Sequence, residues 1–218
     1  MRYEIRGVSI RSENAAKPIS QPSKWVLDWI QELPHSAKAL DFGCGKFRYT
    51  VPLSSVVGRV DAVDSRRQLD RQQVINGKKT SLGEYANKHL SNVRVYSESS
   101  AVWRRRRYDV ILLTNVLSAI PFRNHRIDIL RRLKLTLKQR GKILIVTQFA
   151  DAHFSSYRQS PRASRYRDGW LVTARSGSSF YATIDLRSLS RHCRDAGLKI
   201  AERGVIRRGK SAYILAVR

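Results

Sequence analysis

Four places in the sequence combine a short apolar run with polar residues or glycines that directly follow it. The first is Asp41-Phe42-Gly43-Cys44-Gly45, and the other three runs end at Asp64, at Ser97 and Glu98, and at Asn115. In an open parallel α/β sheet, ligands bind outside the carboxyl ends of the strands. We therefore expect these side chains to converge on one ligand site.

The residue types at these places indicate the kind of ligand. Gly43 and Gly45 carry no Cβ, so the backbone there can approach a ligand closely. The spacing from Asp41 to Asp64 is close to the ~20 residues expected for a carboxylate that binds a ribose diol. Asp41 precedes the first glycine and suits a cationic group, such as an ammonium or a sulfonium. The pattern predicts a ligand that has both a ribose and a cationic group.

Two alternatives compete with this interpretation. A nicotinamide dinucleotide site expects Gly-x-Gly-x-x-Gly leading directly into a helix whose N-terminus holds a pyrophosphate. Here Arg48 occupies the position of the third glycine, and Asp41 would lie poorly beside a pyrophosphate. The other alternative is a plain strand and turn with incidental glycines, which the agreement of four strand ends disfavours.

Strands and helices alternate from residue 23 to residue 149, which is typical of a doubly wound parallel sheet. Apolar runs predict strands at residues 39–40, 59–63, 93–96, 110–113 and 143–146. Apolar periodicity predicts helices at residues 23–33, 68–75 and 81–90, and another that begins near Asn124 and ends before Gly141. Residues 1–22 are polar, contain prolines, and predict irregular structure.

The segment after residue 149 departs from this alternation. It predicts a hairpin, a helix and two antiparallel strands, at residues 170–184, 186–196, 199–206 and 212–217. We therefore expect an α/β fold with a doubly wound, mostly parallel seven-stranded sheet, an antiparallel C-terminal strand, and a basic hairpin insertion after the fifth strand.

The charge composition of the chain indicates which kinds of partner it attracts. The chain has 42 Lys and Arg against 17 Asp and Glu, which gives a formal net charge of +25. Such a surface attracts polyanions, so nucleic acid is the first partner to consider and an anionic membrane the second. A generally basic proteome is the alternative explanation.

The cysteine content and the hydropathy of the sequence suggest a cellular compartment. Cys44 and Cys193 form no Cys-x-x-Cys pair, so neither a disulfide framework nor a metal site is expected. No apolar run approaches the roughly 20 residues that span a bilayer, and the N-terminus has no signal-peptide core. We expect a cytoplasmic protein with no membrane partner.

The motifs resemble those of a known enzyme family. Residues 39–45 look like the first motif of the class I, Rossmann-like S-adenosylmethionine-dependent methyltransferases. Residues 60–64 resemble their second motif, residues 108–118 are similar to the fourth, and residues 141–146 look like the strand after it. The resemblance covers about residues 36–149 and implies a methyltransferase whose cofactor is S-adenosyl-L-methionine.

The resemblance also implies a role for each residue of the motifs. Gly43 and Gly45 would lie under the methionine part, with Cys44 in the same loop, and Asp41 would sit near the ammonium or structure that loop. Asp64 would bind the ribose hydroxyls, Ser97 or Glu98 would meet the adenine, and Asn115 would flank the methionine end.

One departure from the family concerns the glycine loop. The family often has a third glycine where this chain has Phe47, so we expect the turn after Gly45 to be shaped differently. Arg48, or Lys17 from the N-terminal segment, could then reach the cofactor carboxylate. The alternative for Arg48 is a side chain that faces solvent or a phosphate.

On this interpretation the whole chain, residues 1–218, forms one methyltransferase domain. Its parts are an N-terminal segment and helix (1–35), the cofactor-binding core (36–149), the basic insertion (150–184) and a C-terminal helix with a strand pair (185–218).

The methyl acceptor is less evident. Asn115-Val116-Leu117-Ser118 lacks the Asp/Asn-Pro-Pro-Tyr/Phe box of amino-methylating DNA enzymes, and no cysteine suits cytosine C5 methylation. The same segment resembles the form found in methyltransferases of small molecules and of modified tRNA bases. Methyl transfer needs a general base only when the acceptor is a poor nucleophile. The candidate acid–base residues are His125, Asp151 and His153.

The basic insertion interleaves arginines with aromatic residues. Arginine binds phosphates and aromatic rings stack on bases, so the insertion predicts a nucleic-acid contact. A lid that closes over a small substrate is the alternative. The predicted substrate-binding residues are Tyr157, Arg158, Arg162, Arg165, Tyr166, Arg167 and Trp170.

The sequence thus predicts an S-adenosylmethionine-dependent methyltransferase that acts on RNA or DNA by in-line methyl transfer. The alternatives are a small-molecule methyltransferase with a basic surface, or an inactive nucleic-acid-binding protein on the same fold.

Overall fold

A computed structural model describes residues 2–16, 19–149, 152–174, 177–206 and 211–218 of the chain. The strands are β1 (Arg2–Ile5), β2 (Val8–Arg11), β3 (Lys38–Phe42), β4 (Arg59–Asp64), β5 (Gln73–Ile75), β6 (Lys78–Thr80), β7 (Val93–Ser97), β8 (Tyr108–Thr114), β9 (Leu137–Gln148), β10 (Ala163–Tyr166), β11 (Gly169–Ala174), β12 (Gly177–Ala182), β13 (Lys199–Ile206) and β14 (Ser211–Val217).

Eight α-helices and two short 3₁₀ helices lie within the described residues. The α-helices are α1 (Lys24–Gln31), α2 (Thr50–Val56), α3 (Arg66–Asp70), α4 (Leu82–His89), α5 (Ala101–Arg104), α6 (Arg123–Thr136), α7 (Ala152–Tyr157) and α8 (Leu186–Asp195). The 3₁₀ helices are Ser12–Ala15 and Leu117–Ala119. No helix in this part of the chain has the length and apolar character needed to cross a membrane.

The largest sheet has seven strands in the order β13-β14-β9-β8-β3-β4-β7. β3 pairs in parallel with β4 and with β8, and β4 pairs in parallel with β7. β13 and β14 pair antiparallel. The predicted fold class, a mostly parallel seven-stranded sheet with an antiparallel C-terminal strand, is confirmed.

Continuous apolar runs explain why these strands lie buried in the centre of the sheet. Leu40 of β3 and Ile111 and Leu112 of β8 are fully buried. A strand of a parallel sheet is covered on both faces, so it carries apolar residues at consecutive positions rather than at alternate ones. This is why the short run before Asp41 forms a strand that ends in the glycine loop.

Contacts divide the chain into two compact units. Unit 1 comprises Met1–Ala15, Leu113–Lys134 and Ile143–Arg218, and unit 2 comprises Ala16–Leu112 and Leu135–Lys142. β3, β4 and β7 belong to unit 2. A second sheet of five strands belongs to unit 1.

The five-stranded sheet has the order β1-β2-β12-β11-β10. β10, β11 and β12 form an antiparallel meander, which includes the predicted hairpin. β2 joins it through a parallel pairing of Ile10 with Ser178. The basic insertion is therefore part of a larger sheet that also contains the N-terminal strands.

The prediction of irregular structure for residues 1–22 was wrong at its start. β1 and β2 form a hairpin whose two-residue turn is Arg6-Gly7, with φ values of 51° and 74°. These angles match a type I′ turn, which favours asparagine and glycine. Tyr3 and Ile5 on alternate positions of β1 are buried. The hairpin was not predicted because arginine, rather than asparagine or glycine, occupies the first turn position.

Two other predictions needed correction, both in unit 2. The helix predicted over residues 68–75 ends at Asp70, and β5 and β6 follow as a hairpin around Asn76-Gly77. Gly141 lies inside β9 rather than ending a helix. A Cβ on Gly141 would come within 2.8 Å of the Tyr108 carbonyl oxygen, so this glycine allows a close approach of two backbones.

Candidate active site

The carboxyl ends of three parallel strands of unit 2 carry the predicted polar residues. Asp41 is the penultimate residue of β3, and Asp64 and Ser97 are the last residues of β4 and β7. Asp64 pairs with Ser97 in the parallel register. The Glu98 N–H donates to the Asp64 carbonyl oxygen at 2.8 Å. The parallel arrangement thus brings Asp64, Ser97 and Glu98 together, as the sequence predicted.

The glycine loop after β3 is fixed to the end of β4. The N–H groups of Gly43 and Cys44 both donate to the Val63 carbonyl oxygen, at 2.7 Å and 3.1 Å. Gly43 and Gly45 have φ values of 73° and 59°, a conformation that glycine adopts without steric cost. The nearest atom to a Cβ built on Gly45 would be the Ala16 Cβ, at 3.5 Å. The loop therefore follows a path that these glycines make favourable.

Asp64 holds this loop through its carboxylate. Its Oδ2 accepts a hydrogen bond from the Gly45 N–H at 2.8 Å, and its Oδ1 accepts one from the Ser65 N–H at 2.7 Å. A carboxylate only accepts hydrogen bonds, at about four acceptor positions, and is therefore the type of group that can bind ribose hydroxyls. The geometry is compatible with the predicted contact between Asp64 and a ribose.

Asp41 is almost fully buried, with 2% of its surface exposed. The Thr50 hydroxyl at the start of α2 donates to its Oδ2 at 2.6 Å. Burial raises the Asp41 pKa to about 6, although the Thr50 hydrogen bond and the charge of Arg48 lower it. This arrangement supports the second of the two predicted roles, in which Asp41 structures the loop.

Arg48 follows the loop and is half-buried. Its guanidinium lies 4.6 Å from the centroid of the Tyr49 ring, and its Nη1 is 3.5 Å from the Gln21 carbonyl oxygen. Burial lowers its pKa, although the nearby Tyr49 and Asp41 act in the opposite direction. A contact between Arg48 and the cofactor carboxylate stays a prediction, and the alternative residue Lys17 lies outside the described residues.

Phe47 takes a left-handed backbone conformation with φ of 63°. It is the position where the family often has glycine, the residue that this conformation favours. The backbone at this residue thus takes a glycine-like conformation with a phenylalanine, and a difference in turn shape from the family stays a prediction. The Phe47 side chain is fully buried and its ring centroid lies 6.2 Å from that of Tyr85.

Gln68 contacts the glycine loop, although nothing in the sequence marked it as a site residue. It is fully buried in α3, and its Nε2 donates to the Gly45 carbonyl oxygen and to Gln73 Oε1. Its Oε1 has no hydrogen-bond partner among the described residues. The Ser65-x-x-Gln68 spacing, with the Ser65 hydroxyl accepting from the Gln68 N–H, was the available signal for a helix start here.

In unit 1, Asn115 and Ser118 lie in the turn that follows β8. Asn115 has φ of 60°, and its N–H donates to the Val146 carbonyl oxygen at 2.8 Å. Asn115 Oδ1 and Ser118 Oγ are both buried and, within the described part of the chain, neither has a hydrogen-bond partner. Buried polar atoms without partners are rare in folded proteins. The predicted contact of Asn115 with the cofactor stays a prediction.

Of the three candidate acid–base residues, only the His125 side chain falls within the described part of the chain. His125 is exposed near the start of α6, and its ring centroid lies 5.7 Å from that of Tyr3 and 5.4 Å from that of Phe122. Asp151 lies outside the described residues. The backbone of His153 belongs to α7, but its side chain is also outside them. All three catalytic roles stay predictions.

Part of the predicted substrate set forms a row across the meander of unit 1. Arg165, Trp170 and Tyr181 are direct cross-strand neighbours on β10, β11 and β12. The Arg165 guanidinium lies 5.2 Å from the Trp170 ring centroid. The Tyr157 ring centroid lies 6.3 Å from that of Trp170 and 5.9 Å from that of Tyr181.

The remaining members of the set lie apart from this row. Arg158 and Arg162 are exposed, after the end of α7 and before β10. Tyr166 and Arg167 lie at the turn between β10 and β11, where the Arg167 guanidinium is 5.4 Å from the Tyr166 ring centroid. The structure thus divides the predicted set into a cross-strand row and a turn.

Comparison with known proteins identifies the family. Residues 14–203 match the family described as a methyltransferase domain. The chain belongs to this methyltransferase family. It is 36% identical over 200 residues to the uncharacterized protein YmfD of Escherichia coli K12, and the match covers 92% of this chain and 89% of that protein.

Two solved methyltransferases share the fold at low sequence identity. A S-adenosylmethionine-dependent methyltransferase from Methanosarcina mazei superposes with a TM-score of 0.64 at 17% identity, covering 91% of this chain and 98% of that one. The CcbJ methyltransferase from Streptomyces caelestis gives a TM-score of 0.64 at 16% identity, covering 94% of both chains.

This methyltransferase uses S-adenosyl-L-methionine, and the chemistry of unit 2 fits that cofactor. Gly43 and Gly45 place side-chain-free backbone at the end of β3, and the Asp64 carboxylate, an acceptor group of the kind that binds ribose hydroxyls, lies at the end of β4. Ser97 and Glu98 lie beside Asp64 at the end of the neighbouring strand. The contacts of individual residues with the cofactor stay predictions.

Proposed function

We propose that this methyltransferase transfers its methyl group to a nucleic acid. The observation that carries the proposal is the row of Arg165, Trp170 and Tyr181 across the meander, with Tyr157 against two of its rings. Arg165 is exposed, and the three aromatic side chains are half-buried. A stacked aromatic surface with a guanidinium at its edge suits bases and phosphates that follow one another along a strand.

The charge of Arg165 supports this interpretation. In the described part of the chain no carboxylate forms an ion pair with it, so its positive charge remains available to a ligand. The formal net charge of +25 adds a long-range attraction for polyanions that does not depend on sequence. A small neutral acceptor would gain nothing from either feature.

The chemistry requires little beyond alignment. S-adenosyl-L-methionine supplies a methyl group on a sulfonium that is already activated. The acceptor atom forms the new bond to the methyl carbon, the carbon–sulfur bond breaks with its electron pair on sulfur, and the acceptor loses a proton if it carries one. The protein positions the reacting atoms and excludes water. In this proposal, Asn115 flanks the methionine end of the cofactor, and Ser118 provides a polar atom that can orient a hydroxyl or amino group of the acceptor.

The direct experiment measures transfer of labelled methyl groups from S-adenosyl-L-methionine to total tRNA, to rRNA, to DNA and to a metabolite extract. The proposal expects label in one of the nucleic acids, released as labelled nucleotides by nuclease treatment. Label that nuclease treatment does not release contradicts the proposal. Label that appears in the metabolite extract alone identifies a small-molecule methyltransferase and rejects it.

Variants of the row separate stacking from charge. Trp170→Ala should weaken binding of the labelled nucleic acid by roughly 1–3 kcal/mol without changing its salt dependence, because the indole carries no charge. Arg165→Ala should reduce the slope of log K against log salt by about 0.7 to 0.9. Arg191→Ala, which removes one exposed charge from α8, is the matched control and should change neither. Equal effects of Arg165→Ala and Arg191→Ala would show that only the total charge matters.

A further inference from the structure

Two hairpin turns of unit 1 carry arginines in a left-handed conformation. The β1–β2 hairpin turns at Arg6-Gly7, and the β10–β11 hairpin turns at Arg167-Asp168. The φ values of Arg6 and Arg167 are 51° and 49°. A residue with a Cβ adopts this conformation at a steric cost, and glycine would avoid that cost. Arginine at both turns is therefore the less stable choice for the fold.

Both arginines lie against the same aromatic ring. The Arg6 guanidinium is 5.6 Å, and the Arg167 guanidinium 5.4 Å, from the centroid of the Tyr166 ring. The Arg167 guanidinium is also 5.1 Å from the centroid of the Phe122 ring. Attraction to the ring faces holds the two cations in defined positions. Two positive charges beside one ring also repel each other, and an anion would relieve that repulsion.

The described carboxylates leave both charges uncompensated. No ion pair in the described part of the chain involves Arg6 or Arg167. Asp168, the neighbour of Arg167, forms an ion pair with the fully buried Arg126 through two hydrogen bonds. Arg126 Nε also donates to the Ile120 carbonyl oxygen at 2.7 Å. The buried guanidinium therefore balances Asp168 and fixes the turn that presents Arg167.

We infer that Arg6, Tyr166 and Arg167, which we call the hairpin-tip surface, bind phosphate groups of the methyl acceptor. Both arginines are exposed, and the planar guanidinium matches phosphate oxygens in geometry as well as in charge. This inference rests on the proposed function, since a polynucleotide supplies phosphates over the length of its backbone. It adds Arg6, a residue outside the basic insertion, to the acceptor-binding surface.

The double variant Arg6→Gly/Arg167→Gly tests the inference without opposing the backbone, because glycine favours both φ values. The control Arg187→Ala/Arg191→Ala removes the same charge from exposed positions of α8. The probe is a fluorescently labelled 20-nucleotide single-stranded RNA, together with DNA of the same sequence, titrated at several salt concentrations. The slope of log K against log salt should fall by about 0.7 for each phosphate that the glycine variant no longer binds. It should not change in the control. Equal slopes in both variants would overturn the inference.

A second measurement uses inorganic phosphate as the probe and does not depend on the acceptor. Titration of the ¹⁵N-labelled enzyme should shift the Nε–H signals of Arg6 and Arg167, which the glycine variant identifies by their disappearance. Signals of Arg187 and Arg191 should shift less. Unmoved Arg6 and Arg167 signals would reject the hairpin-tip surface even if methyl transfer to a nucleic acid is observed. Shifted signals with no methyl transfer to any nucleic acid would reject the proposed function and leave a phosphate site.

Discussion

Replacing Phe47 by glycine changes two opposing contributions to stability at once. The fully buried ring is removed, and truncating a buried phenylalanine costs about 3–5 kcal/mol. At φ of 63° glycine has no Cβ that clashes with the backbone, so the free energy of unfolding regains about 1–2 kcal/mol. Burial is the larger contribution, so Phe47→Gly should lower the free energy of unfolding by about 1–4 kcal/mol.

Phe47→Ala provides the comparison that isolates the backbone conformation. It removes the same ring, including its packing against Tyr85, but it keeps a Cβ in the left-handed conformation. The order of stability should therefore be wild type, then glycine, then alanine, with about 1–2 kcal/mol between the two variants.

Urea unfolding followed by circular dichroism measures these differences as shifts of the midpoint at constant slope. An alanine variant as stable as the glycine variant would show that the conformation at position 47 costs nothing. A glycine variant more stable than the wild type would show that burial of the ring contributes less than the strain. Either result would refute the reasoning.

Three further predictions concern cofactor binding and pH. Asp64→Ala should weaken S-adenosyl-L-methionine binding, measured by calorimetry, by roughly 1–3 kcal/mol. The control Asp70→Ala, at an exposed position, should leave binding unchanged. An unchanged dissociation constant in Asp64→Ala would exclude the ribose contact. Burial raises the Asp41 pKa to about 6 in the folded state. The free energy of unfolding should therefore rise by up to about 3 kcal/mol as the pH falls from 6 to 4, because the folded state binds the proton first. Asp41→Asn should abolish this rise, measured as urea midpoints at each pH. Burial lowers the His192 pKa to about 4. The free energy of unfolding should therefore fall by a similar amount as the pH falls from 6.5 to 4, because the unfolded state binds the proton first. An unaltered pH dependence of stability in His192→Gln would contradict this prediction.

The sequence predicted the parts of the site that one parallel sheet determines. Asp64 and Ser97 each follow an apolar run, and parallel pairing brings the ends of such runs together without further information. The glycine loop is equally local, because Gly43 and Gly45 need left-handed conformations that few other residues adopt. These features depend on residue type and order alone.

The sequence did not predict features that depend on distant contacts or on unfavourable conformations. Gln68 looked like an ordinary residue of a longer helix, and only the folded chain shows its side chain beneath Gly45. The left-handed conformations of Phe47 and Arg6 oppose the preferences of their residue types. Asn115 and Ser118 were visible as a motif, but their missing hydrogen bonds are a property of the surrounding packing.

The pairing of β2 with β12 has a consequence for synthesis on the ribosome. Asn14, just beyond β2, donates to the carbonyl oxygen of Ser178, 164 residues further along the chain. At translation rates of about 5–20 residues per second, the N-terminal hairpin waits roughly ten to thirty seconds for that partner strand. During this interval Tyr3 and Ile10, buried in the finished protein, have no completed sheet to cover them. The apolar side chains of this hairpin therefore stay without their sheet partner until β12 has been synthesised.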